Sequence, residues 1–182
     1  MNTRRSNDLE LSVVVVFHSM QREAPRTLHS LSAVYQQGMG ENQYEVIVVE
    51  NPSSRMLSSQ AVQRFGPQFR YVINPRTSRS PAGAINLGAQ QALGRRVMLM
   101  IDGARILSPG VLRQTLAGFR LYDRPVVATL AWHLGPDNQA RSIHQGYCQD
   151  VEDRLLAESG WESDGYRLFQ VSSLAGSCGN GW

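Results

Sequence analysis

Residues 11–17 read Leu-Ser-Val-Val-Val-Val-Phe, with no polar–apolar alternation to break the run. A strand with one wet face alternates with period two. This run therefore predicts a strand covered on both faces, the situation inside a parallel sheet. Runs at 44–49 and 97–101 have the same character, and 69–73 predicts a further strand. Between them lie helical signals. Pro25 suits a first helical turn, and Leu28, Leu31, Ser32 and Tyr35 continue one face over 25–37 until Gly38-Met39-Gly40 stops it. Further helices are predicted at 58–65, at the alanine-rich stretch 82–93 closed by Gly94, and at 109–119 with Pro109 at its start. Parallel neighbours need crossovers, so this alternation predicts a three-layer α/β/α sandwich with a mostly parallel, Rossmann-like sheet.

Past residue 120 the pattern weakens. Residues 125–132 predict a fifth strand, 149–158 a helix and 166–174 a strand, with a turn at Gly135-Pro136-Asp137-Asn138. Residues 1–10 are polar and aperiodic and predict a loose tail, leaving 11–182 as one domain.

Composition narrows the classes of function. The longest apolar runs, 13–17 and 97–101, are far short of the roughly 20 residues of a bilayer span. No charged start leads into an apolar stretch with a cleavage site, so no secretory signal is visible and a cytoplasmic protein is expected. The two cysteines, Cys148 and Cys178, cannot build a metal cluster alone and are expected as free thiols. All 18 cationic side chains are arginine, scattered along the chain. They form no basic stripe interleaved with stacking aromatics, so nucleic acid is not an expected partner. A chain without lysine cannot contain the Gly-Lys-Ser/Thr of a P-loop, and no Gly-x-Gly-x-x-Gly follows the first strand. In sheets of this kind ligands sit beyond the carboxyl ends of the strands, at a topological switch point. Residues 16–19, 50–53, 76–79 and 102–105 are therefore the segments to watch.

Those segments carry a resemblance. Residues 12–19 (Ser-Val-Val-Val-Val-Phe-His-Ser), then Leu28-His29-Ser30-Leu31, resemble the opening strand and helix of family-2 glycosyltransferases. Residues 46–53 (Val-Ile-Val-Val-Glu-Asn-Pro-Ser) resemble the family's second strand, which commonly ends in an acidic pair followed by Gly-Ser. Ala84-Ile85-Asn86-Leu87-Gly88 resembles its Asn-x-Gly helix, and residues 98–104 (Met-Leu-Met-Ile-Asp-Gly-Ala) its strand ending in Asp-x-Asp. The resemblance covers roughly 11–130 and implies a GT-A fold that binds a nucleotide diphosphate sugar, with a UDP-sugar as first choice. It further implies transfer of the sugar, with inversion, to the hydroxyl of a saccharide or other acceptor.

The residues can be assigned on that basis. Phe17 and His18 would wall a base pocket. Asn51 offers both a donor and an acceptor to a uracil-like edge, and Glu50 accepts from a ribose hydroxyl or base N–H. Arg79, seven residues before Asn86, can stack on a base or fork onto phosphate, with Arg76 a weaker candidate. Asn86 is expected to bond backbone near the strand ends. Asp102 would hold a ribose hydroxyl or a metal ion. Two carboxylates one residue apart can share Mg²⁺ or Mn²⁺ with a diphosphate, but Ala104 stands where the second carboxylate belongs. Metal use then depends on Asp102 alone, and Arg105 beside it could neutralise phosphate.

The family's catalytic base lies downstream of a Gly-rich segment that residues 173–182 resemble, so an acceptor region incomplete at its C-terminus is expected and no catalytic base is named. His133 ends the predicted fifth strand without a partner in the sequence. Two other readings stand beside the enzyme: a non-catalytic nucleotide-sugar-binding or scaffold module, and another nucleotide-handling α/β enzyme.

Overall fold

The computed structural model describes residues 9–76 and 80–174. Contacts divide the chain into two compact units, 1–117 and 118–182. The first contains β1 (Leu11–Phe17), α1 (Ala24–Ser30), β2 (Tyr44–Glu50), α2 (Ser59–Gln63), β3 (Phe69–Ile73), α3 (Ala82–Gln90) and β4 (Arg96–Met100). Helix α4 (Val111–Gly118) follows at the boundary. The four strands are all parallel, in the order β3-β2-β1-β4. Phe17 pairs in register with Glu50, and Glu50 with Ile73, so these strands end side by side.

The unbroken apolar run of β1 is explained by its place. β1 lies between β2 and β4, and every one of its residues is buried. Alternate side chains feed two cores. Leu11, Val13, Val15 and Phe17 join Leu28 of α1, Val62 of α2 and Leu112 of α4 on one face. Val14, Val16, Ile47 and Val49 meet Ala84 of α3 on the other, which completes the three layers. Full burial of a side chain such as Phe17 or Leu28 contributes about 1.5–3 kcal/mol. Gly88 shows how closely α3 seats: a Cβ there would fall 2.4 Å from Val14 Cγ1 and 3.0 Å from Val49 Cγ2.

Polar groups fasten the opposite, N-terminal edge of the sheet. Glu45 on β2 is buried; it accepts from Ser12 Oγ at 2.7 Å and from Leu93 N at 2.7 Å. Arg70 Nε lies 3.3 Å from its other oxygen. Ser12 Oγ in turn accepts from Gly94 N at 2.8 Å, tying the α3–β4 turn to the sheet. Tyr44, also buried, donates to Leu31 O at 2.7 Å, and burial raises its hydroxyl pKa to about 12.

Several elements differ from the sequence reading. The helix expected over 25–37 ends as α1 at Ser30, with turns beyond it. Ser30 Oγ donates to Thr27 O and Ser32 Oγ to His29 O, both at 2.7 Å, so serine hydroxyls share carbonyls with the backbone N–H groups of Leu31 and Ser32 where the helix ends. Residues 1–8 of the expected tail lie outside the described residues, but Leu9 is buried and Glu10 pairs with Arg96 at 2.7 Å. Leu9 and Glu10, expected in the loose tail, are thus anchored to the sheet unit.

In the second unit, residues 125–131 form no strand; they are irregular, and Val126 is 96% exposed. A strand needs a ladder, and the pairing here starts only at β5 (Trp132–Leu134), which runs antiparallel to β6 (Ser172–Leu174). The strand expected over 166–174 is 3-10 helical over Gly165–Val171, and only its last three residues pair. Asp164 starts that turn by accepting from Tyr166 N at 3.1 Å. Spacing by three then brings Tyr166 and Phe169 together, their ring centroids 6.5 Å apart. Helices α5 (Gln139–Ser142) and α6 (Gln149–Ser159) complete the unit, α6 where the sequence predicts it. None of the described helices is long and apolar enough to cross a membrane.

Candidate functional site

In the order β3-β2-β1-β4 the chain steps outward from β1 on one side and returns to its other side for β4. The switch point therefore lies beyond Phe17 and Met100. Around it the chain turns through His18 and Ser19, through Ile101 to Arg105, and through Asn51 and Asn74 at the ends of β2 and β3.

The turn after β4 rests on Phe17. Gly103 is buried, and a Cβ there would come within 2.4 Å of two ring atoms of Phe17. Thr27 Oγ1 donates to Gly103 O from the other side. The Phe17 ring, expected to wall a base pocket, is instead fully buried as the floor beneath this turn. Above it Asp102 Oδ1 accepts from Ala104 N at 2.9 Å, while Oδ2 lies 3.6 Å from Arg105 Nε. Ala104 and Arg105 are exposed.

Glu50 also points inward. It is fully buried; Oε2 accepts from Leu57 N at 3.2 Å and Oε1 is sealed without a partner. Tyr71 Oη donates to Leu57 O at 2.9 Å, so one residue of the β2–α2 loop is held from both sides. Burial raises the Glu50 pKa above the usual carboxylate value, against the opposing pull of the Leu57 N–H and of His18. Burial likewise lifts Tyr71 to about 12, with the Glu50 charge adding to it.

A folded-state pKa raised above the unfolded one means the native chain binds the proton more tightly. Stability from this group is present below the unfolded pKa and is lost as pH rises through the folded one. Glu50→Gln should therefore gain stability relative to the parent as pH climbs from about 4 to 7. Urea unfolding of both proteins across that range checks it; a constant difference would contradict it.

Asn51 is buried. Its N–H donates to Phe17 O at 2.8 Å, and its carbonyl lies 3.4 Å from His18 Nδ1. Its side-chain Oδ1 accepts from Asn74 Nδ2 at 2.7 Å. Asn74, which the sequence reading passed over, is buried too; its N–H donates to Glu50 O at 2.9 Å. A signal was available: Asn-Pro follows both β2 and β3, at Asn51-Pro52 and Asn74-Pro75. His18 and Ser19 are exposed, and Ser19 has a φ of 56°, a left-handed conformation that non-glycine residues adopt mainly where the surroundings enforce it.

The strand ends thus bring together His18, Asn51 and Asp102, with Phe17 and Glu50 beneath the surface. Arg79 lies outside the described residues, as do Cys178 and the Gly-rich segment from residue 175 on. Asn86 is exposed on α3, where a bond to backbone was expected. A cleft of about 200 Å³ lies elsewhere in this unit, between α1 and α2, lined by Gln21, Leu28, Met56, Leu57, Arg64 and Phe65.

Comparison with known proteins decides the family. The profile described as glycosyl transferase family 2 matches residues 12–174, nearly the whole chain. The chain belongs to this family. No match is found among curated protein sequences. Among solved structures the family-2 chain is similar to S. aureus TarS, with a TM-score of 0.54 and 21% identity over 62% of this chain and 20% of that one. It is similar as well to TarS 1–349 in complex with UDP (TM-score 0.54, 22% identity, 62% of this chain and 32% of that one). The same fragment in complex with UDP-GlcNAc gives 0.53, 21%, 62% and 31%. The chain therefore spans between a fifth and a third of these three chains, and the likeness shows a shared GT-A fold.

Family-2 enzymes commonly hold a divalent ion. The donor set here does not fit one. Mg²⁺ and Mn²⁺ want several oxygen ligands. At this turn Asp102 is the one carboxylate, both its oxygens already face an N–H or a guanidinium, and Ala104 has no ligand atom. Among the described residues no three His, Cys, Asp or Glu side chains gather for a metal.

Proposed function

We propose that this chain is the donor-binding part of an inverting glycosyltransferase, taking a nucleoside-diphosphate sugar at the carboxyl ends of β1, β2 and β4. The acceptor hydroxyl attacks the anomeric carbon from the face opposite the departing nucleoside diphosphate, inverting that centre. The observation that carries the reading is the group of His18, Asn51 and Asp102 at the sheet's switch point, with His18 exposed, Asp102 half-buried and Asn51 buried, in a chain of this family. Support for a uridine nucleotide comes from the similar TarS structures, solved with UDP and UDP-GlcNAc.

In this reading each side chain takes a role. His18 and Asn51 contact the base and ribose, and Asp102 accepts from a ribose hydroxyl. Phe17 and Glu50 shape the edge from below. Arginine supplies the counter-charge to the diphosphate in place of a metal: Arg105 beside Asp102, and Arg79 from the loop before α3.

That division makes a sharp prediction. Calorimetric titration with UDP should give nearly the same affinity with Mn²⁺ as with EDTA, and affinity should fall as added salt screens the arginines. In Ala104→Asp, Mn²⁺ should strengthen binding about tenfold, roughly 1.4 kcal/mol. A tenfold loss on chelation in the parent chain would overturn the metal-free reading, and no binding at millimolar UDP would overturn the donor site itself.

The pairing of Asp102 with Arg105 and the alanine at 104 favour a second reading, a nucleotide-sugar-binding module without turnover. Sustained release of nucleoside diphosphate from a nucleotide sugar plus acceptor would exclude it.

A further inference from the structure

The two buried amides at the ends of β2 and β3 form a chain of hydrogen bonds with a fixed direction. It starts at a backbone group that can only donate: Arg76 N–H, 3.2 Å from the Asn74 side chain. The atom it meets must be the oxygen, Oδ1, so the other end of the Asn74 amide is its NH₂. That NH₂ lies 2.7 Å from the Asn51 side chain and needs an acceptor, so Asn51 turns its own oxygen toward Asn74. What Asn51 has left is Nδ2, a donor. Nδ2 has no hydrogen bond to a described residue, and it is not among the sealed unpartnered polar atoms. The carbonyl of Asn51 is 3.4 Å from His18 Nδ1, which places the residue at the β1–β2 mouth. The sequence allowed Asn51 to present a donor or an acceptor; the structure leaves it the donor.

We infer that Asn74 is a specificity-positioning residue: by fixing the flip of Asn51, it makes the strand-2 end select nucleotides whose base presents a carbonyl there, uracil over cytosine. This rests on the nucleotide reading of the same strand ends. The two bases differ at position 4, where uracil has an oxygen that accepts and cytosine an amino group that donates, and at N3, which donates in uracil and accepts in cytosine; the position-4 edge is the one assigned to Asn51. An amide donor facing that position pairs with the first and opposes the second, leaving two desolvated donors face to face. Sites built around such a bond reject the mismatched analogue far more strongly than apolar pockets reject a methylene.

Substitution should reverse the direction of the chain. In Asn74→Asp, one oxygen still accepts from Arg76 N–H, but the other now faces Asn51 and needs a donor. Asn51 must flip, giving Nδ2 to residue 74 and its oxygen to the mouth. In Asn51→Asp, Asn74 keeps its partner and the mouth receives an acceptor directly. Both changes should turn the preference toward cytosine by different routes.

The test is calorimetric titration of the full 182-residue chain with UDP and with CDP, in the parent, Asn74→Asp and Asn51→Asp. The expected result is UDP about tenfold tighter than CDP in the parent, with the ratio falling to one or below in both variants. The ratio is the readout, because a merely structural role for Asn74 would weaken both nucleotides together. If Asn74→Asp fails to fold by circular dichroism, Asn74→Ala takes its place: it removes the bond that fixes Asn51, and the UDP-to-CDP ratio should fall toward one. Equal affinities in the parent, or a ratio unchanged in the folded variants, would overturn the assignment. A parent that binds neither nucleotide would instead remove the donor site, and the assignment with it.

Discussion

Glu45→Ala should cost about 3–5 kcal/mol of stability, the range for removing one partner of a buried charged network. The carboxylate is buried, accepts from Ser12 Oγ and Leu93 N and pairs with Arg70, so its loss strands donors on β1 and on the turn before β4 and removes the counter-charge of Arg70 on β3. Glu45→Gln keeps an acceptor and should cost clearly less, about 1–3 kcal/mol. Urea denaturation of the three proteins at pH 7 compares them. A loss below 1 kcal/mol in Glu45→Ala would show that the network contributes little. The site lies at the opposite end of β1 and β2, so nucleotide affinity in the folded fraction should hardly move.

Gly103→Ala should act where the fold meets the site. The new methyl would need the space of the Phe17 ring, at 2.4 Å, and neither can retreat easily: Phe17 is fully buried and Thr27 holds the Gly103 carbonyl. Overpacking of this kind costs about 1–3 kcal/mol. The turn must shift to relieve it, carrying Asp102 and Arg105 with it, so UDP affinity should fall at least about tenfold. Shortening the floor offers a rescue. Phe17→Leu alone leaves a small void, but combined with Gly103→Ala it should recover part of both stability and affinity. A double-mutant cycle with no coupling between the two positions would contradict the contact.

These two cases show what the sequence could and could not say. Strands buried on both faces mark themselves by long apolar, β-branched runs, which is why β1 and β2 are legible nearly to the residue. In contrast, Ser12 and Glu45 interrupt such runs, and nothing in their spacing says that they satisfy each other. Past residue 118 the pairing strands are three residues long, too short for a periodic pattern, so residues 125–131 looked like a strand that has no ladder. At the site, the switch-point rule locates the right strand ends, but it carries no information on side-chain direction. Phe17 and Glu50 sit at the expected ends and face inward, while Asn74 was visible only as the second of two Asn-Pro pairs.

A nucleoside diphosphate bound to this chain should lie at the carboxyl ends of β1, β2 and β4. Titrating UDP into the ¹⁵N-labelled chain while following backbone amide shifts tests this. Saturable shifts are expected at His18 and Ser19, at Asn51 and Ser53, and from Asp102 to Arg105. Shifts centred on Gln21, Met56 and Arg64 around the α1–α2 cleft, or none at millimolar UDP, would contradict it.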